Sequence, residues 1–352
     1  MKPSALAALV ETVQRNCHVA DARHATELTL CTYLLQMREF YRWEEGLPLG
    51  AVLRHREVGD WLGRRELLWD GLADASYAAL AIGAERFDPF DAAAVNERLC
   101  PQGLVYGAGL LASGRPVFFL GELQRAERRE SLQVLVAARE LARGLAAPPG
   151  ALSGDVILLR RESLLRWLWE LFEAWSVRRI PGGFADALAT CGHDNGDTPA
   201  ALDRLADSEL ETMLLHELGE FRAGRCLGAD WGPLRLATGG DRRIEPRLGA
   251  LRDHLADCLV TLPTLLERAD AAAIHFWFAH FEGVRLEMFP RLQSAYVGWR
   301  AGDRGRALYC ALDVGRRHWQ QLGEHAVALH RQLGEDCRGP LAECLTDDAA
   351  RC

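Results

Sequence analysis

Apolar positions recur every three or four residues through most of the first ninety positions, and again from residue 161 to the end. This period predicts helices in both stretches. Between them the pattern changes. Residues 103–111 read as a strand, 113–116 (Ser-Gly-Arg-Pro) as a turn and 117–120 as the returning strand of a β-hairpin. The composition of 124–145 predicts a helix, Ala-Pro-Pro-Gly at 147–150 breaks it, and 155–159 adds a third short strand. The chain therefore divides into an N-terminal helical region (1–95), a small α+β region with the hairpin (96–160) and a C-terminal helical domain (161–352). The expected fold is mainly α, close to all-α, with a small β-hairpin or sheet insertion and a helical bundle that carries the site.

Composition narrows the function classes. Of 352 residues about half are apolar and a quarter charged, which excludes a disordered or collagen-like chain. With 41 basic and 49 acidic side chains the net charge is −8, so bulk charge attracts neither nucleic acid nor an anionic lipid surface. No run reaches the roughly 18 apolar residues of a membrane span. The apolar start is interrupted by Glu11 and reads as a helix rather than a signal peptide. Ten cysteines lie between Cys17 and Cys352 with no CxxC pair, which suits reduced thiols and a cytoplasmic location. Cys258 and Cys310 read as small core residues and Cys352 as part of a loose tail.

The chemistry concentrates in His216-Glu217-Leu218-Gly219-Glu220. Ser208-x-x-Glu211 has the form of a capping box, so a helix is expected from about Ser208 to a stop at Gly224. On it Leu210, Leu214, Leu218 and Phe221 form the apolar stripe, Glu217 falls inside that stripe, and His216 and Glu220 lie one turn apart at its edge. A carboxylate on a core face is costly unless a cation answers it. The cation is either a metal ion or an arginine such as Arg38 or Arg166. The pattern His-Glu-x-x-Glu departs from the zincin His-Glu-x-x-His at its last residue, and Glu217 is the candidate catalytic carboxylate.

Two further segments offer ligands. The apolar helix over 271–283 places His275 and Glu282 two turns apart on a face lined by Ala271, Ala272 and Ala279; the alternative is a histidine packed in the core against a carbonyl. A long helix over 24–44 carries His24, Glu27, Cys31, Arg38 and Arg42 on one strip. That strip is either a solvated face or brings His24 and Glu27 to the site. Asp253 and Asp257, opposite the apolar face of Leu251, Leu255, Cys258 and Leu262, read as solvated, and residues 191–197 read as a surface turn. No Gly-x-Ser-x-Gly elbow and no GxGxxG loop occurs.

The segments Met-Arg-Glu-Phe-Tyr-Arg-Trp-Glu at 37–44 and His-Glu-Leu-Gly-Glu at 216–220 resemble the signatures of an uncharacterised bacterial family, a domain of unknown function on chains of about this length. The resemblance extends over most of the chain, includes Ile274-His275-Phe276, and implies no activity. A broader similarity is to helical di-iron carboxylate proteins, which set Glu and Glu-x-x-His on facing helices. Here His24-x-x-Glu27 runs in reverse and Glu217 and Glu220 follow His216, which departs from a ferritin-like site and leaves open a heme-oxygenase-like or novel helical metal site.

These readings give one expectation. A metal ion, iron or manganese ahead of zinc, is held by His216, Glu217, Glu220 and His275, with Glu282, His24 and Glu27 as further ligands. Mixed nitrogen and oxygen ligation with open positions suits O₂-dependent oxidation of a small molecule. The alternatives are a non-enzymatic helical binding module whose buried ions are salt bridges, and a zinc hydrolase built on the His-Glu-x-x-Glu helix.

Overall fold

The structure, a computed structural model, describes residues 1–111, 114–347 and 350–352. The chain forms two compact units, Met1–Ala174 and Trp175–Cys352.

The first unit begins with α1 (Pro3–His24), a single turn at Ala25–Glu27, α2 (Leu30–Glu44) and α3 (His55–Asp70). The continuous helix expected over 24–44 is thus interrupted. Thr29 starts α2 afresh, its side chain accepting from the Thr32 N–H at 3.3 Å. A two-stranded ribbon, β1 (Leu80–Ile82) and β2 (Glu85–Phe87), follows within the stretch that reads as helical. It turns at Gly83, whose φ of 64° suits glycine.

After α4 (Ala92–Leu99) come β3 (Leu104–Leu110), β4 (Pro116–Arg129), β5 (Leu132–Arg143), β6 (Gly150–Ser153) and β7 (Val156–Arg160), and then α5 (Arg161–Arg178). They form one sheet in the order β3-β4-β5-β7-β6, antiparallel except for the β5–β7 pair. The expected hairpin is β3–β4, although Ser113 of its turn lies outside the described residues. The helix expected over 124–145 is instead the second half of β4 and all of β5. Its Ala, Leu, Glu and Arg residues favour helix locally. Pairing on both edges of β5, and burial of Leu132, Val134, Leu135, Val136 and Ala137, outweigh that preference. The fold is mainly α plus β and not all-α.

The sheet curls. A Cβ added to Gly107 on edge strand β3 would meet Leu158 Cδ2 of β7 at 2.7 Å, although two strands separate β3 from β7 in the order. Val105, Phe119, Leu135 and Ala137 fill the inner face. Tyr106, Phe118 and Leu120 on the other face pack with Leu9, Val13 and Cys17 of α1.

The second unit is helical: α6 (Gly183–Thr190), α7 (Thr198–Leu227), α8 (Trp231–Ala237), α9 (Glu245–Ala256), α10 (Leu262–Glu267), α11 (Ala271–Ala279), α12 (Gly283–Met288), α13 (Pro290–Arg300), α14 (Arg306–Leu333) and α15 (Arg338–Thr346). Helix α7 starts ten residues before Ser208. Asp197 caps it through the Ala200 N–H at 3.1 Å and a proline sits in its first turn. Ser208 donates instead to Asp270 at 2.8 Å. The helix runs past Gly224 and stops at Gly228, where φ is 83°.

Helices α7 and α9 touch through Gly219, where an added Cβ would lie 2.7 Å from the Ala256 carbonyl oxygen. Beyond α9 the backbone widens into a π-helical segment, Asp257–Thr261. Cys352 is not on a loose tail, since its N–H donates to the Met288 carbonyl at 2.9 Å. Cys258 is buried as expected, but Cys310 lies on the exposed side of α14. Among the described residues, no helix is long and apolar enough to cross a membrane.

Candidate metal centre

The close approach at Gly219 sets the first turns on either side of it against α9. His216 and Glu220 of α7 and Asp253 of α9 each bring one ligand atom to a common point, all three within 4.8 Å of one another. The imidazole is held from behind: His216 Nδ1 lies 3.1 Å from Asp257 Oδ1, and Asp257 is almost fully buried. Arg285 fixes that carboxylate, donating to Oδ2 at 2.6 Å while its guanidinium lies over the Trp277 ring. With Nδ1 engaged by Asp257, Nε2 is the nitrogen that faces Glu220, 3.6 Å from its Oε1. Arg252 donates to Glu220 from the other side.

Four carboxyl groups, Glu217, Glu220, Asp253 and Asp257, thus gather about two guanidiniums, Arg252 and Arg285. The excess is negative. Burial alone would lower the pKa of His216, but the Asp257 carboxylate and the hydrogen bonds to Asp257 and Glu220 outweigh it and hold the imidazole well above its usual value. Burial would raise the pKa of Asp257, yet Arg285 and His216 bring it down to about 2. Burial raises Glu217 to about 7, with the Glu220 charge acting in the same direction. Asp253 is likewise raised by burial, and further by Asp257, to about 6. Without a metal, a proton on His216 and, near neutral pH, partial protonation of Glu217 offset part of the carboxylate excess.

The other expected ligands have partners or surroundings of their own. His275 on α11 bonds the Tyr296 hydroxyl at 2.7 Å and packs on the Trp299 ring at 4.9 Å. Helix α11 ends at Ala279, so Glu282 does not share its face; it is exposed at the start of α12. His24 and Glu27 belong to the first unit and bond each other at 2.8 Å, with Glu27 exposed. The arginines offered as partners for Glu217 are taken by acids of their own unit: Arg38 by Glu39 and Glu173, Arg166 by Glu162. The charged groups around Glu217 are His216, Glu220, Arg252 and Asp253.

Sequence reasoning missed Asp253 and Asp257, which it placed in solvent. Residues 254–258 are all buried, so this stretch is enclosed on more than the one face that its leucines mark. The four-residue spacing of the two acids is the sequence signal that could have found them.

The fold and the cluster define a two-unit α+β protein whose helical unit converges one imidazole and two carboxylates. The model of the DUF6866 N-terminal domain matches residues 8–160, and that of the DUF6866 C-terminal domain matches residues 165–348; both are described as belonging to a family of unknown function. The chain belongs to this family. No curated protein matches it, and no solved structure does.

Proposed function

We propose that the helical unit binds one divalent transition-metal ion through His216, Glu220 and Asp253, and that the bound ion serves chemistry on a small molecule. The observation that carries this reading is the convergence of the three ligand atoms within 4.8 Å, with the imidazole oriented by a buried carboxylate. A carboxylate behind a ligating histidine is the usual means of fixing ring orientation and tautomer. Four carboxyl groups against two guanidiniums leave a negative excess that a divalent ion would offset.

One nitrogen and two oxygen ligands form a hard donor set, which favours manganese or iron over zinc. Three protein ligands leave coordination positions open for water, O₂ or substrate, the arrangement an oxidase or oxygenase needs. Glu217, next to His216 and among the same charged groups, would accept or return a proton near the ion. That same carboxyl supports a second reading, metal-assisted hydrolysis, in which it would take a proton from metal-bound water.

The test is metal analysis after anaerobic titration with Mn²⁺, Fe²⁺ and Zn²⁺ in turn. The expectation is about one equivalent bound, lost in His216→Ala, Glu220→Gln and Asp253→Asn, and retained in Glu217→Gln. Failure of all three ions to bind the folded wild-type chain refutes the site and leaves a salt-bridge network. Stoichiometric zinc with no detectable manganese or iron binding refutes the oxidase version and favours hydrolysis.

A further inference from the structure

The first unit holds a cavity unrelated to the metal cluster. Its volume is about 680 Å³, within the roughly 300–1,000 Å³ typical of small-molecule sites. Small residues line it: Ala92 and Ala93 on α4, Gly107 to Gly109 on β3, and Gly150 and Ala151 on β6. Phe119, Leu135 and Leu158 give it apolar walls. Strands β3 and β6 are the two outer strands of the curled sheet, so the cavity lies where the sheet comes round without closing. Two large apolar side chains left exposed, Phe90 and Leu110, both line it.

The edge of β3 supplies polar groups. The Tyr106 N–H donates to Asn96 Oδ1 at 2.8 Å, and Asn96 Nδ2 donates to the Tyr106 carbonyl at 2.8 Å, so the Tyr106 peptide groups point away from β4. By the two-residue repeat of an antiparallel strand, those of Ala108 and Leu110 point the same way. Helix α4 answers Tyr106; Ala108 and Leu110 line the cavity.

We propose that this cavity binds a small, mainly apolar molecule that carries at least one hydrogen-bonding group. The apolar body lies against Phe119, Leu135 and Leu158, and its polar group meets the outward peptide groups of Ala108 and Leu110. The size of the cavity and its exposed apolar rim distinguish it from a packing defect, since interiors rarely leave voids much larger than a water molecule.

The test is titration of the full chain with the neutral fluorophore N-phenyl-1-naphthylamine. The expected result is a saturable, blue-shifted signal at about one equivalent, weakened roughly tenfold or more by filling the cavity with Gly109→Phe. An added Cβ at Gly109 meets nothing within 4 Å, and its φ is not positive, so the strand accepts a side chain there. Ala93→Trp, on the exposed side of α4, is the second filling variant should the strand variant unfold. An unchanged circular dichroism melt accompanies the weakened binding in a folded variant. Absence of saturable binding to the wild-type chain, or unaltered binding in a folded filling variant, overturns the proposal.

Discussion

Gly219 lets α7 approach α9 closely enough to bring His216 and Glu220 to Asp253, and replacing it with alanine perturbs that contact directly. The added methyl would sit 2.7 Å from the Ala256 carbonyl oxygen and 3.1 Å from its Cβ, whereas ordinary contact begins at 3.4 Å. Backbone carbonyl and Cβ cannot swing aside, so α7 and α9 must separate by several tenths of an ångström. Overpacking of this kind costs about 1–3 kcal/mol. Alanine in place of glycine in a helix interior returns about 1 kcal/mol. The net expectation is a loss of up to about 2 kcal/mol.

Gly224→Ala on the same helix is the control. Its Cβ meets nothing within 4 Å, so that variant should gain up to about 1 kcal/mol. Urea unfolding followed by circular dichroism measures both. Metal titration of Gly219→Ala should also show weaker binding, because His216 and Glu220 move away from Asp253. If Gly219→Ala stabilises the chain as much as Gly224→Ala and leaves metal binding intact, the close helix contact does not assemble the site.

Other perturbations probe the charges. Arg285→Met leaves Asp257 buried without its guanidinium and should destabilise the chain by about 3–5 kcal/mol in urea melts; a loss under about 1 kcal/mol would show that the ion pair does not hold the cluster. Asp257→Asn keeps an acceptor for His216 but removes the charge behind it, and should weaken metal binding roughly 10- to 100-fold by competition titration; unchanged affinity would remove Asp257 from the centre. Burial and a neighbouring arginine lower His18 and His254 to about 3. Between that value and the unfolded histidine value of about 6.5 the unfolded chain binds more protons, so stability falls as pH drops through this window. The loss approaches ~4–5 kcal/mol for each histidine by pH 3, and is absent above about pH 6.5. His254→Gln should flatten its share of the decline in melts taken across this range, and an unchanged pH profile would contradict a buried neutral imidazole.

Local patterns revealed elements where local and tertiary preferences agree. The β3–β4 hairpin and the apolar helix α11 are of this kind. The second half of β4 and all of β5 were hidden because Gln124 to Arg129 and Leu132 to Arg143 are built largely of helix formers; their pairing with each other, the pairing of β5 with β7 and the burial of β5 make them extended. The His216–Glu220 half of the site is legible from its spacing on one helix. Its other half depends on contacts across long sequence separations: His216 meets Asp257 41 residues on, and Arg252 meets Glu220 32 residues back. Periodicity marked Leu251, Leu255 and Cys258 as a core face, but it could not show that the opposite face of α9 would also be covered. His275 has the residue type and burial of a ligand, yet the Tyr296 hydroxyl satisfies it.

Asn96 takes the place of a missing neighbour strand. Its amide meets both the N–H and the C=O of Tyr106, the pair of bonds that another backbone would otherwise make. A bare strand edge is a template on which copies of a chain can zip together into aggregates. One side chain on a short helix therefore guards this part of the sheet against self-association, and solubility, rather than folding energy alone, is a reason for asparagine at that position.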